Sequence, residues 1–299
     1  MYISEFLALS AAICIAVSGM LISELSGRVN LFRLALWQMT AAVIMTGAVS
    51  MALDGWRSVA PWQFGYLAAS SLFGIMIAST TYFATIYAAG ARVTALLFSL
   101  TSPFALGLGY LALGEKISLQ QGLGVALVLS GIVLAVGIPG SERGHFTTAN
   151  ASVKPEIPWR GIAFGITTAL GQALGSLFAR PVMAAGAEPF TAMAIRSGLA
   201  AVFFLTLHVL PIPALRQPQR FAWRYRAISL GAAFFGTGLG MSLLMAALAR
   251  GNVGIVSTLS SMTPVVILPM LWLRTGVSPP PLAWAGALLA VAGTALISL

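Results

Sequence analysis

Charge is what this sequence has least of. Only 8% of its 299 residues are Asp, Glu, Lys or Arg, against 59% hydrophobic, whereas an ordinary soluble domain carries about 25% charged residues. So few charges cannot cover a soluble protein of this size, which leaves lipid as the solvent for most of the outside. Cysteine is nearly missing. Cys14, inside an apolar stretch, stands alone, so no internal disulfide and no cysteine metal cluster can form, and it reads as a small buried hydrophobe. Histidine is limited to His145 and His208, and no carboxylate lies inside an apolar run; Glu5, Glu24 and Glu115 stand at run ends. Chemistry on a lipid or isoprenoid within a membrane draws on clustered His, Asp, Glu or Cys, so an enzyme is disfavoured and no metal or other cofactor is implied. A long basic run is also missing. The formal charge of +9 comes from 16 Lys+Arg and 7 Asp+Glu, with the basic residues spaced singly between apolar blocks. They read as anchors at an anionic headgroup surface, not as a nucleic-acid surface.

What is present is apolar sequence in span-sized pieces. A membrane helix needs about 20 mostly apolar residues. Uncharged runs cover Phe6–Ser23, Leu34–Leu53, Ser58–Ala91, Val93–Gly114, Ile117–Ser141, Gly161–Ala179, Ala227–Ala249, Gly251–Leu273 and Thr275–Leu299; a tenth, Pro189–Leu215, is broken only by Arg196. None shows the period-2 alternation of a barrel strand. The first has no positive segment before it and is read as a span, not a signal peptide. The expected fold is all-α, a polytopic membrane protein of ten transmembrane helices. The polar stretch after the fifth divides the chain into a first five-helix repeat at 1–140, a connecting loop at 141–160 and a second repeat at 161–299.

The two halves echo each other. Ser99-Leu100-Thr101-Ser102-Pro103 in helix 4 matches Ser260-Ser261-Met262-Thr263-Pro264 in helix 9, and Gly90 precedes the first as Gly251 precedes the second. Gly114, Gly124 and Gly131 then match Gly276, Gly286 and Gly293, and Phe32 and Phe190 open helices 2 and 7. Five helices is an odd number, so the second copy enters from the opposite side. That is an inverted-topology repeat, common in secondary transporters, whose halves can trade conformations.

Tyr87-Ala88, Ser99 to Pro103, Leu113-Gly114-Glu115-Lys116-Ile117, Gly122 and Gly131 together resemble the EamA domain of the ten-helix members of the drug/metabolite transporter superfamily. The second half repeats the pattern with Pro264, Gly276, Gly286 and Gly293, but Val277 stands where the first has Glu115. The resemblance implies export or exchange of metabolites such as amino acids in a cell inner membrane, through a central cavity lined by helices 1–4 and 6–9, with helices 5 and 10 outside.

Several residues are candidates for the site. Proline removes a ladder bond and strains the carbonyl four residues before it, so Pro103 and Pro264, near the middles of helices 4 and 9, are expected to kink or gate there and to free the carbonyls of Ser99 and Ser260. Helix 3 carries a small and polar stripe of Ser71, Gly74, Ala78, Thr81 and Thr85 at alternating +3 and +4 spacing, with Tyr82 beside it. Thr81, Tyr82, Ser99 and Ser260 are expected to line a cavity, and Ser71, Gly74 and the Gly171–Gly175 pair to serve close packing. Arg196 costs at least about 2.5–3.5 kcal/mol in hydrocarbon and lies roughly 12 Å into its helix, which predicts an interior position. There it is either a binder of a substrate carboxylate or a hydrogen-bonded helix clamp. Gln38, next to Trp37, takes the corresponding place in helix 2, and both join the expected binding set. Glu115 is expected to play a structural helix-end role.

The expected function is transport of a small organic solute, with the lipid bilayer as the other partner; the alternative is a structural or assembly subunit without transport. With the N-terminus cytoplasmic, 4 basic residues flank the spans on that side and 11 on the other. The positive-inside rule therefore argues for termini outside, while the family resemblance implies termini inside.

Overall fold

The computed structural model describes residues 2–114, 116–136, 159–210, 222–276 and 281–298. They form thirteen α-helices: α1 (Tyr2–Leu25), α2 (Leu31–Ala52), α3 (Pro61–Ser71), α4 (Ala78–Phe98), α5 (Thr101–Leu113), α6 (Leu119–Val136), α7 (Trp159–Ala184), α8 (Pro189–Val209), α9 (Trp223–Ala233), α10 (Met241–Leu248), α11 (Val253–Ser260), α12 (Thr263–Thr275) and α13 (Pro281–Ser298). A 3-10 turn at Gly55–Ser58 follows α2, and π-helical segments at Leu72–Ile77 and Phe234–Gly240 join α3 to α4 and α9 to α10. No strand occurs among the described residues.

These helices make ten spans. Gly90, at φ 81° and ψ 165°, breaks α4 in a conformation that favours glycine. The part before it completes the third span, and the part after it joins α5 as the fourth. Spans 3 and 8 run through the two π segments, and α11 with α12 makes span 9. Seven helical stretches among the described residues are long and apolar enough to cross a bilayer, with shorter apolar stretches inside α6 and α13. Side-chain caps fix where spans 2 and 7 begin. Asn30 accepts from the Phe32 N–H, and Glu188 from those of Phe190 and Thr191, which satisfies donors that a helix start leaves orphaned.

The contacts between equivalent spans give the relation of the halves. Along spans 2 and 7, Val43 meets Gly198 and Ser50 bonds to Thr191. As numbers rise on one, they fall on the other, so the two run antiparallel. Spans 4 and 9 do the same, with Leu106 on Gly254 and Ser102 hydrogen-bonded to Thr258. Spans 5 and 10 repeat it with Gly131 against Gly286 and Ala290, and Gly293 against Gly124 and Val128. Antiparallel equivalents mean that one half is turned over in the membrane relative to the other. We call the face where α1 starts and α13 ends the terminal face, and the face where α6 ends and α7 starts the distal face.

Pro103 and Pro264 lie in the middles of spans 4 and 9, each just after a break in its helix. Pro103 is the third residue of α5 and Pro264 the second of α12. Each stands in the first turn of a new helix, where a missing N–H costs little. The breaks lie before them, at Ser99–Leu100 and Ser261–Met262. The carbonyls expected to be freed find local partners: that of Ser99 accepts from the Ser102 N–H at 3.1 Å, and that of Ser260 from the Thr263 hydroxyl at 3.2 Å. Pro103 is exposed on the outside.

At Gly293 an added side chain would run into the backbone of Gly124 and Val128. Gly293→Val is expected to cost about 1–3 kcal/mol, as overpacking does, and to lower the thermal unfolding midpoint of the detergent-solubilised protein. The same change at Gly47, where nothing lies within reach of an added Cβ, leaves the midpoint near that of the parent.

Candidate functional site

Between the halves lies a cleft with about 480 Å³ of empty space. Its walls come from both halves. Ile15, Ser18 and Ile22 of α1, Gln38 of α2, Gly74, Ala78, Ser79, Tyr82 and Phe83 of span 3, and Phe98 face Thr168 and Gln172 of α7 and Gly236, Thr237 and Met241 of span 8. Gln38 and Thr168 stand about two to three turns in from the distal ends of their helices, so the cleft runs from mid-membrane toward the distal face. The space open to the centre of a water molecule is about 50 Å³, so the cleft is narrow.

The wall is mostly apolar and carries a few polar but uncharged side chains. Gln38 is 2% exposed, and its Nε2 has no hydrogen-bond partner. Gln172 reaches only the Met241 sulfur, at 4.0 Å. Ser18 donates to the Ala232 carbonyl at 2.8 Å, and Thr168 to the Phe164 carbonyl at 2.8 Å or the Thr81 hydroxyl at 2.7 Å. Tyr82 packs edge-on against Phe83 and Phe98, with centroids 6.1 and 5.8 Å apart. Apolar and aromatic walls with a few free amides are the usual make-up of a small-molecule site.

Both π segments reach this wall, and their starts, Leu72 and Phe234, are equivalent under a 162-residue offset that also places Gly74 on Gly236. A π turn carries one extra residue and often marks a functional position. Each is held by a close crossing onto the other half. Gly74 lies so near Gly175 that neither has room for a methyl group, and Ser70 donates to the Gly175 carbonyl at 2.5 Å. Gly236 lies equally near Ser18, which donates to the carbonyl of Ala232.

The terminal face is shut. Ser50 and Thr191 share a 2.5 Å hydrogen bond, Glu188 accepts from the Thr191 hydroxyl at 2.7 Å, and the Glu188 N–H donates to Ser58 at 2.9 Å. Deeper in, Arg196 is fully buried. Its Nη1 points at the sulfurs of Met193 and Met245, at 3.3 and 3.1 Å, and its Nη2 at the Ser70 carbonyl, at 3.5 Å.

The structure gathers part of the expected binding set. Gln38 and Tyr82 form the cavity wall. Thr81 stands one layer behind, bonding to Thr168 and to the Ile77 carbonyl at 2.9 Å. Arg196 is interior, in the arrangement of a helix clamp, and is not part of the wall. Ser99 and Ser260 are buried at the two helix breaks and are not part of the cleft wall. Trp37 is 42% exposed and lies under the Arg226 guanidinium at 5.9 Å, because neighbouring residues on a helix point about 100° apart and Gln38 takes the inward direction. Glu115 lies outside the described residues. Gln172, Thr168, Ser18 and Thr237 were not in the expected set. Gln172 carried a usable signal, an amide inside an apolar run.

Two inverted five-span halves around a mostly apolar, uncharged cleft with a few polar side chains define a membrane carrier architecture. The chain belongs to the EamA-like transporter family, which matches residues 2–137 and 159–299. Membership sets it among transporters and not enzymes. An uncharacterized transporter of Synechocystis sp. is 34% identical over 134 residues, 44% of this chain and 40% of that relative, so the match spans well under half of its length. A protein crystal structure superposes with a TM-score of 0.75 at 19% identity, over 98% of this chain and 95% of its own, a likeness of fold alone.

Arg196 is held by thioethers and one carbonyl, so its burial is poorly compensated, and a buried charge can often be replaced by an apolar side chain of similar volume without loss. Arg196→Met is expected to unfold at or above the parent's midpoint, and Arg196→Ala below it by the roughly 2–5 kcal/mol of a large-to-small core change. Thermal unfolding in detergent measures both.

Proposed function

We propose that the protein is a secondary transporter, an exporter or exchanger, that carries small organic metabolites such as amino acids across a cell inner membrane by alternating access between its two inverted halves. The observation that carries this reading is the pairing of a cleft reaching mid-membrane from the distal face with a latched terminal face. Halves related by inversion have a second arrangement available, in which the terminal half opens and the distal half closes. The unpartnered amide of Gln38, with Gln172 and the hydroxyl of Tyr82 nearby, suits a polar solute. The aromatic and aliphatic wall around them suits its apolar part.

The test is a reversible lock. The Ser50 and Thr191 oxygens are 2.5 Å apart, close enough for the cysteine pair Ser50→Cys/Thr191→Cys to bridge, in a Cys14→Ala background. In vesicles loaded with labelled amino acids, the oxidised protein is expected to stop exchange and a reductant to restore it. Equal flux in both forms rules out the terminal face as a moving gate. Gln38→Leu is expected to raise KM for the transported solute about three- to tenfold, the worth of one neutral hydrogen bond, with the protein still present in the membrane. An unchanged KM removes Gln38 from the site.

A further inference from the structure

Phe32 and Phe190 open equivalent helices, and six residues beyond them stand Gln38 and Arg196. The two are counterparts in the halves, yet their surroundings differ. Gln38 is on the open side, in the cavity wall with its Nε2 unpaired. Arg196 is on the closed side, 0% exposed, with Nε lacking any partner. Its partners are the Met193 and Met245 sulfurs and the Ser70 carbonyl. None is a carboxylate, and two thioethers and one carbonyl compensate a buried guanidinium weakly. The barrier between this cation and the cleft is a single glycine. Gly74 is part of the cavity wall, and a Cβ placed on it would come within 2.9 Å of the Arg196 Nη2.

We propose that Arg196 and Gln38 trade roles as the carrier turns: opening the terminal face uncovers Arg196 as the binding residue for a carboxylate-bearing solute, while Gln38 closes onto the carbonyl of Ala232. Ala232 is the counterpart of Ser70 under the 162-residue offset that places Leu72 on Phe234 and Gly74 on Gly236. This inference rests on the alternating-access reading above. It makes the site neutral toward the distal face and cationic toward the terminal face. A carboxylate gains a charge-assisted, two-pronged partner when bound from the terminal side and loses it as Arg196 returns behind Gly74. Loading is thereby favoured at the terminal face and release at the distal face.

Phenylglyoxal, which modifies arginines that water can reach, tests the exchange in reconstituted Ser50→Cys/Thr191→Cys protein lacking Cys14, with the Arg196 peptide read by mass spectrometry. The oxidised form is expected to leave Arg196 unmodified, and reduction to raise its modification rate at least tenfold, while the exposed Arg57 reacts equally in both. Acetate and benzoate are expected to slow the Arg196 reaction at least threefold in the reduced form, and acetamide and benzamide to leave it unchanged. In protein with native Ser50 and Thr191, Glu188→Ala, which loosens the same latch without a cross-link, is expected to raise the rate as well. Reduced protein that transports while Arg196 stays unreactive overturns the exchange and leaves the carrier mechanism standing. Flux that persists through oxidation instead overturns the alternating-access reading. Equal protection by the carboxylates and their amides reduces Arg196 to a gate tether and sinks the anion site.

Discussion

Gly74 and Gly175 bring spans of opposite halves so close that backbone meets backbone. Inside a bilayer no water is at hand to satisfy a polar group, so polar side chains must find partners across helices, and small residues make the approach that allows it. The Ser70 hydroxyl reaches the Gly175 carbonyl only because the two helices touch, and the Arg196 guanidinium reaches the carbonyl of Ser70 across the same crossing. The counterpart crossing, Ser18 on Gly236, has a hydroxyl where the first has a hydrogen. The pair of contacts fixes the bundle's middle, and the cleft occupies the distal half beside them.

The asymmetry between the halves is chemical more than architectural. Backbone features recur almost position for position: broken spans 4 and 9, π segments in spans 3 and 8, left-handed glycines at Gly114 and Gly276. Side chains diverge at the positions where a solute or a gate would be touched. Gln38 stands against Arg196, and Tyr82 against Leu243 at the 161-residue offset that relates Gly90 to Gly251. In the proposed carrier cycle, a shared scaffold with unlike linings lets the two facing states differ in what they bind.

The ten spans were legible because hydrocarbon demands long uncharged runs, and the inversion because five is odd and the glycines and prolines recur in order. The site was legible in part. Gln38 could be found because it takes the place of Arg196 in the other half, and Tyr82 because it lies beside the polar stripe of helix 3. Sequence position gives depth along a helix, but which neighbour a residue meets depends on packing between spans. Arg196 could therefore be placed inside the bundle, while its clamp of two sulfurs and a carbonyl could not be foreseen. Trp37 was carried in by adjacency to Gln38, and adjacency on a helix points the other way. The prolines pointed to where spans 4 and 9 break, but not to the partners of the carbonyls before them, which Ser102 and Thr263 supply locally. The π segments left no trace in composition, since one extra residue in a turn changes no residue type.

The crossing of α6 and α13 has a mechanical meaning. Gly131 on Gly286 and Gly293 on Gly124 are reciprocal contacts, so the pseudo-twofold axis of the molecule passes between these two helices. An interchange of the halves' conformations carries the crossing onto itself. In the proposed alternating-access cycle the spans around the cleft slide, and this pair is placed to be their fulcrum, its tight seat giving the rocking parts something stationary to push against.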